Sequence, residues 1–115
     1  MKLSEHFDSS EFVCKCGCGA YHRPPQTLID GLERIRQAVG VPLIITSGTR
    51  CKRHNAAVGG VANSLHLEGR AADISIPSIC LGTCCLATLG RFVGRLHAID
   101  EHARGCCHLD VRGIK

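Results

Sequence analysis

The chain has 115 residues, enough for one domain with a single core and little room for a second. With three Phe, one Tyr and no Trp, that core must be built from Leu, Ile, Val, Ala and Cys. The formal charge of +4 is spread over scattered Lys and Arg, which argues against a nucleic-acid-binding stripe. No apolar run approaches the ~20 residues of a membrane span.

Residues 1–23 read as an arm of turn signals that carries Cys14, Cys16 and Cys18 at alternate positions, with Gly17 and Gly19 between and after them. Met1 to Glu11 contains one Lys and no apolar stretch, so no cleaved signal peptide is expected, and synthesis in the cytoplasm is. Nine cysteines is an odd count, whereas an exported disulfide scaffold usually has an even one. Cys80, Cys84, Cys85, Cys106 and Cys107 are therefore read as buried thiols acting as small hydrophobes. The spacing of Cys14, Cys16 and Cys18 is not that of a zinc ribbon. Two of them with Cys51 and His54 could nevertheless complete a second, structural zinc site; the alternative is reduced or bridged cysteines without metal.

Pro24 and Pro25 open a helix predicted over Pro25 to Val39, with Leu28, Leu32, Ile35 and Val39 on one apolar stripe. Gly40 ends it and Pro42 blocks its continuation. Leu43 to Thr46 reads as a short buried strand, and Lys52 to Val58 as a short helix before Gly59-Gly60. Residues 80–94, small and apolar, read as a helix weakened by Gly82, Gly90 and Gly94. Leu96 to Ile99 and Cys107 to Val111 read as strands joined by a polar turn, Asp100 to Gly105.

The chemistry is concentrated in His66, Asp73 and His108. Two imidazoles and a carboxylate are a ligand set that binds zinc and leaves a fourth position open. Fully extended, His66 and Asp73 would lie more than ~20 Å apart. A turn at Glu68-Gly69 is expected to fold the flanking segments back as a hairpin-like pair, so that the two meet. Strand alternation puts Asp110 on the face of His108, as a carboxylate available to handle protons. His97 approaches the same place if its strand pairs with that of His108. His6, His22 and His102 are expected at the surface.

Three segments carry a resemblance: Ser-Gly-Thr-Arg-Cys-x-x-His-Asn at 47–55, Val-Gly-Gly-Val-Ala-Asn-Ser-x-His-x-x-Gly-x-Ala-x-Asp at 58–73, and His-Leu-Asp-Val-Arg at 108–112. Together they resemble the zinc D-Ala-D-Ala carboxypeptidase family, whose fold is shared with lysostaphin-type peptidases and the hedgehog amino-terminal domain. The opening Leu3-Ser4-Glu5-His6-Phe7 and Ser10-Glu11-Phe12 look like its small phage- and prophage-associated branch. The resemblance implies a single α+β domain over 1–115, an antiparallel sheet packed with helices. It implies a zinc-dependent peptidase acting on the stem peptides of peptidoglycan, either a carboxypeptidase or an endopeptidase, and a protein that reaches the wall on release, in a phage lysis or tail role. By position, His66, Asp73 and His108 match the zinc ligands, Arg50 an arginine near the substrate carbonyl, and Ser64 a residue on the substrate-carboxylate side.

The departures bear on catalysis. Thr49 replaces the tyrosine of Ser-Gly-Tyr-Arg, which would loosen the pocket wall. Gly105 stands where many members place an acid three residues before the last ligand, and no Trp follows the final motif. Asp110 is the first candidate for general base. Glu101, like a glutamate upstream in hedgehog-like relatives, is the second. A catalytically silent zinc-binding recognition domain of the same fold is the alternative reading.

Overall fold

The computed structural model describes residues 1–76, 89–101 and 106–112. Four strands form one antiparallel sheet: β1 (Ile44–Ser47), β2 (Ala71–Ser75), β3 (His97–Glu101) and β4 (Cys106–Asp110), in the spatial order β1-β2-β4-β3. Among the described residues, two α-helices, α1 (Gln26–Val39) and α2 (Lys52–Ala57), and two 3-10 turns accompany the sheet in a single α+β domain. No helix among the described residues is long and apolar enough to cross a membrane.

Helix α1 follows its punctuation. Pro25 stands at the N-cap, and Gly40 closes the helix in the left-handed region at φ 72°, its N–H donating to the Arg36 carbonyl. The buried face of α1 (Leu28, Ile29, Leu32, Ile35) packs over the sheet residues Ala72, Ile74, Ala98, Cys107 and Leu109. Cys106 and Cys107 are buried as expected; Cys80, Cys84 and Cys85 lie outside the described residues. So do most of the predicted 80–94 helix, of which Leu89–Val93 is a single π-turn, and His102 and Gly105 in the turn before β4.

Two expectations change. The 43–46 segment is not a wholly buried strand: it is shifted by one residue and sits at a sheet edge, with Ile44 and Thr46 exposed and Ile45 inside. Between Ile45 and Ser47 the register slips, so that Ser47 faces Asp73 while Ile45 faces Ile74. This bulge puts both on neighbouring strand positions with opposite duties, one in the core and one in the site. The expected hairpin around Glu68-Gly69 is instead a 3-10 turn (Leu65–Glu68). Ser64 Oγ accepts from the His66 N–H, and Gly69 at φ 72° lets the Arg70 N–H return to the Leu65 carbonyl at 3.0 Å.

The amino-terminal arm is part of the core. Asp8 and Glu11 form a reciprocal capping box over a 3-10 turn (Ser9–Phe12), and Phe7 and Phe12 meet edge to face with centroids 6.4 Å apart. His6 stays near the surface but is tied to α1, its Nδ1 2.6 Å from Glu33 Oε1; His22 is exposed.

Helix α1 approaches the segment before β3 very closely. A methyl group on Gly31 would come within 2.6 Å of Leu96 Cδ1 and 2.7 Å of the Gly94 carbonyl oxygen. On an exposed helix Gly→Ala gains about 1 kcal/mol. Gly31→Ala should instead destabilise by ~1–3 kcal/mol, because the backbone oxygen cannot step aside. Urea unfolding reads the sign directly, and a more stable variant would show that α1 can lift away from this segment.

Candidate metal centre

Three side chains from three elements converge on the outer face of the sheet. Asp73 and His108 are register partners on β2 and β4, and the 3-10 turn lowers His66 onto them. His66 Nε2 lies 3.1 Å from Asp73 Oδ1 and 3.3 Å from His108 Nδ1, and His108 Nδ1 lies 3.1 Å from Asp73 Oδ1. Donor atoms around a tetrahedral zinc stand roughly 3.3 Å apart, so the triangle has the right size.

Each of the three also has its remaining polar atom occupied from behind. His66 Nδ1–H donates to the Gly48 carbonyl at 2.7 Å, which leaves the Nε2 lone pair facing inward. His108 Nε2–H donates to Asp110 Oδ2 at 2.7 Å, which leaves Nδ1. Asp73 Oδ2 accepts from Arg50 Nη2 at 2.9 Å, which leaves Oδ1. The donor set thus fits a zinc ion in type, spacing and protonation. Burial works against the Asp73 carboxylate's charge, but the His108 and His66 rings outweigh it and hold Asp73 far below the usual carboxylate range. Burial likewise opposes a charge on His108, and Asp73 and Asp110 overcome it and raise that ring's pKa.

The structure relocates three residues singled out in the sequence. Asp110 is fully buried: besides His108 it accepts from the Arg112 N–H at 2.9 Å and Arg112 Nη2 at 3.0 Å, with His97 Nδ1 3.4 Å away. Against its burial, the Arg112 N–H and then His108 keep its pKa low. A carboxylate so occupied lies on the far side of His108 from the converging donor atoms and orients the ring. Arg50 is turned inward as well, with Nε on Ser47 Oγ at 2.9 Å and Nη1 on Asn55 Oδ1 at 3.3 Å in addition to Asp73. Its guanidinium still borders the cleft. Thr49 is buried and exchanges hydrogen bonds with the His22 backbone, so it forms no part of the cleft wall. Glu101 ends β3 opposite Cys106, two positions beyond Ile99; its side chain lies outside the described atoms.

A cleft of about 810 Å³ opens over His66 and His108, and Ser64, Asn63, Arg50, Arg70 and Arg112 line it. Among the described lining residues there is no Asp or Glu, so its walls favour an anionic ligand. Ser64 borders the cleft as well as capping the turn that carries His66.

Sequence reading missed Ser47, Gly48 and Asn55, which support Arg50 and His66. Gly48 is required by contact: a Cβ there would lie 2.6 Å from Phe12 Cα. The sequence signal lay inside the recognised segment, where Ser47, Arg50 and Asn55 supply two acceptors for one guanidinium.

A second cluster lies on the other side of this loop. The sulfurs of Cys14, Cys16, Cys18 and Cys51 all lie within 4.8 Å of one another. His54 contributes its backbone N–H to Cys51 Sγ at 3.4 Å, while its ring is not among the clustered ligand atoms, so four thiols replace the expected mixed set. Hydrogen bonds from Cys18 lower the Cys16 thiol to about 6.

Comparison with known proteins agrees with this arrangement. A zinc D-Ala-D-Ala carboxypeptidase from Streptomyces albus G is 39% identical over 61 residues, which cover 52% of this chain and 23% of that protein. The chain therefore spans less than a quarter of this relative's length. The family model described as Peptidase M15 matches residues 5–109. That match takes in most of the arm, α1, the 3-10 turn that carries His66, β2 with Asp73 and β4 as far as Leu109, His108 included: the chain belongs to the peptidase M15 family.

Proposed function

We propose that this domain is a zinc-dependent peptidase that hydrolyses peptidoglycan stem peptides, as a D-Ala-D-Ala carboxypeptidase or an endopeptidase. The observation that carries this reading is the convergence of His66 Nε2, Asp73 Oδ1 and His108 Nδ1 within 3.3 Å under a cleft bordered by three arginines. When bound, zinc supplies Lewis-acid polarisation of a peptide carbonyl and acidification of a water molecule.

The residues of the chain divide the remaining work. Arg50 balances the buried charge of Asp73 and keeps Oδ2 engaged, so that Oδ1 alone faces the metal position. Asp110 fixes the His108 ring and its tautomer. Arg70 and Arg112, whose side chains reach solvent, suit a substrate carboxylate through the planar fork of guanidinium donors. With Asp110 committed to His108, proton transfer to the leaving amine falls to Glu101. Stem peptides offer free carboxylates beside D-configured residues, and a protein released from its cell, as in phage lysis, would meet them in the wall.

Zinc-loaded protein incubated with purified muropeptides should yield products shortened by a terminal D-Ala or cut within the stem, read by mass. Digestion of unfolded all-L protein with muropeptides left intact would overturn the substrate class. Binding of muropeptides without cleavage would make the domain a recognition module that retains the metal centre.

The base and its neighbours separate cleanly in variants. Glu101→Gln should keep its zinc and lose at least ~100-fold in turnover. Asp110→Asn should bind zinc ~10–100-fold more weakly and recover rate when zinc is added in excess. The opposite pattern would return the base to Asp110.

Arg50→Ala leaves the Asp73 charge buried without its partner and should cost about 3–5 kcal/mol of stability. An unchanged unfolding transition with lost turnover would place the guanidinium on the substrate instead.

A further inference from the structure

The catalytic reading does not use the four thiols of the arm and the Arg50 loop. None of them forms a disulfide. Cys14 and Cys16 sulfurs are 3.5 Å apart and Cys16 and Cys51 sulfurs 3.7 Å apart, close to the roughly 3.8 Å between sulfurs around a tetrahedral zinc with Zn–S bonds near 2.3 Å. The backbone is shaped to deliver them. Gly17 and Gly19 adopt φ 86° and 82°, and no atom stands within 4 Å of where a Cβ would be, so the left-handed turn and not lack of room requires glycine. The Cys14 N–H closes the loop on the Ala20 carbonyl at 2.9 Å.

Three backbone N–H groups already point at the sulfurs. Cys51 N–H donates to Cys14 Sγ, His54 N–H to Cys51 Sγ and Ala20 N–H to Cys18 Sγ, each at 3.4 Å. Such donors stabilise thiolate charge. The cluster joins two segments 33 or more residues apart, and Cys51 immediately follows the arginine that holds Asp73. The geometry points to a second, structural zinc site in which Cys14, Cys16, Cys18 and Cys51 occupy all four positions and fasten the arm to the loop behind the His66–Asp73–His108 centre. Binding holds all four cysteines as thiolates, the protons of those still in the thiol form passing to solvent, with no change of oxidation state. With every position filled by sulfur, no place is left for water or substrate.

Elemental analysis of the purified chain should find two zinc ions per molecule. Cobalt(II) exchanged into the protein should give an intense thiolate-to-metal charge-transfer band. The double variant Cys16→Ser/Cys18→Ser, altered only at exposed positions, should lose one zinc and that band, while His108→Ala loses the other zinc and keeps the band. These two variants separate failure here from failure of the peptidase centre. Wild-type protein with one zinc and the four thiols titrating freely would overturn the proposal. So would an intact mass lighter by two hydrogens for each disulfide among them.

Discussion

The buried carboxylate of Asp73 governs this structure. An isolated charge in so dry a position would be very costly, and the fold supplies counter-charge from every side. Arg50 takes one oxygen, and the two histidine rings approach the other. Because Arg50 must then be held, Ser47 and Asn55 are drawn in; because the rings must present the correct nitrogens, Gly48 and Asp110 are drawn in behind them. A set of seven polar partners thus follows from one charge on the middle of β2.

The same requirement explains local irregularities that would otherwise look unrelated. Ser47 reaches Arg50 because a bulge in β1 changes the side of the sheet on which it emerges. His66 reaches Asp73 because a capped 3-10 turn, ended by a left-handed glycine, brings a residue seven positions away down onto the strand. Gly48 can offer its carbonyl because it carries no side chain to collide with Phe12. Regular helix and strand supply the platform, and three departures from regularity aim the site.

Much of this was legible in the residues. The helix Gln26–Val39 is bounded by Pro25 and Gly40, signals that act locally and so read directly. Strand alternation placed Asp110 beside His108, and residue types chose the three converging side chains. What alternation cannot show is which ring nitrogen a carboxylate meets. That choice, decided by tertiary packing, sets Asp110 against His108 Nε2 and away from the converging donor atoms. The bulge at β1 is invisible to a period of two, and Ser64 with Gly69 serves a 3-10 turn as well as a hairpin. The arm looked peripheral because its turn residues dominate, although it holds two of the three phenylalanines in an aromatic-poor chain.

The strand order carries a consequence for how the molecule comes into being. β4 follows the other three strands in the chain, yet it lies between β2 and β3 and hydrogen-bonds to both. Until it arrives, each of those strands has an open edge, and the triangle of His66, Asp73 and His108 lacks a corner. Chain growth from the amino terminus therefore makes the sheet wait for an insertion at its centre, a step of long loop closure that favours slow, late completion. A nascent chain carrying everything up to β3 would already own the arm, the first helix and two of the three donor side chains, and would still lack His108. The candidate centre is thus completed only by β4, the last of the described strands to be made.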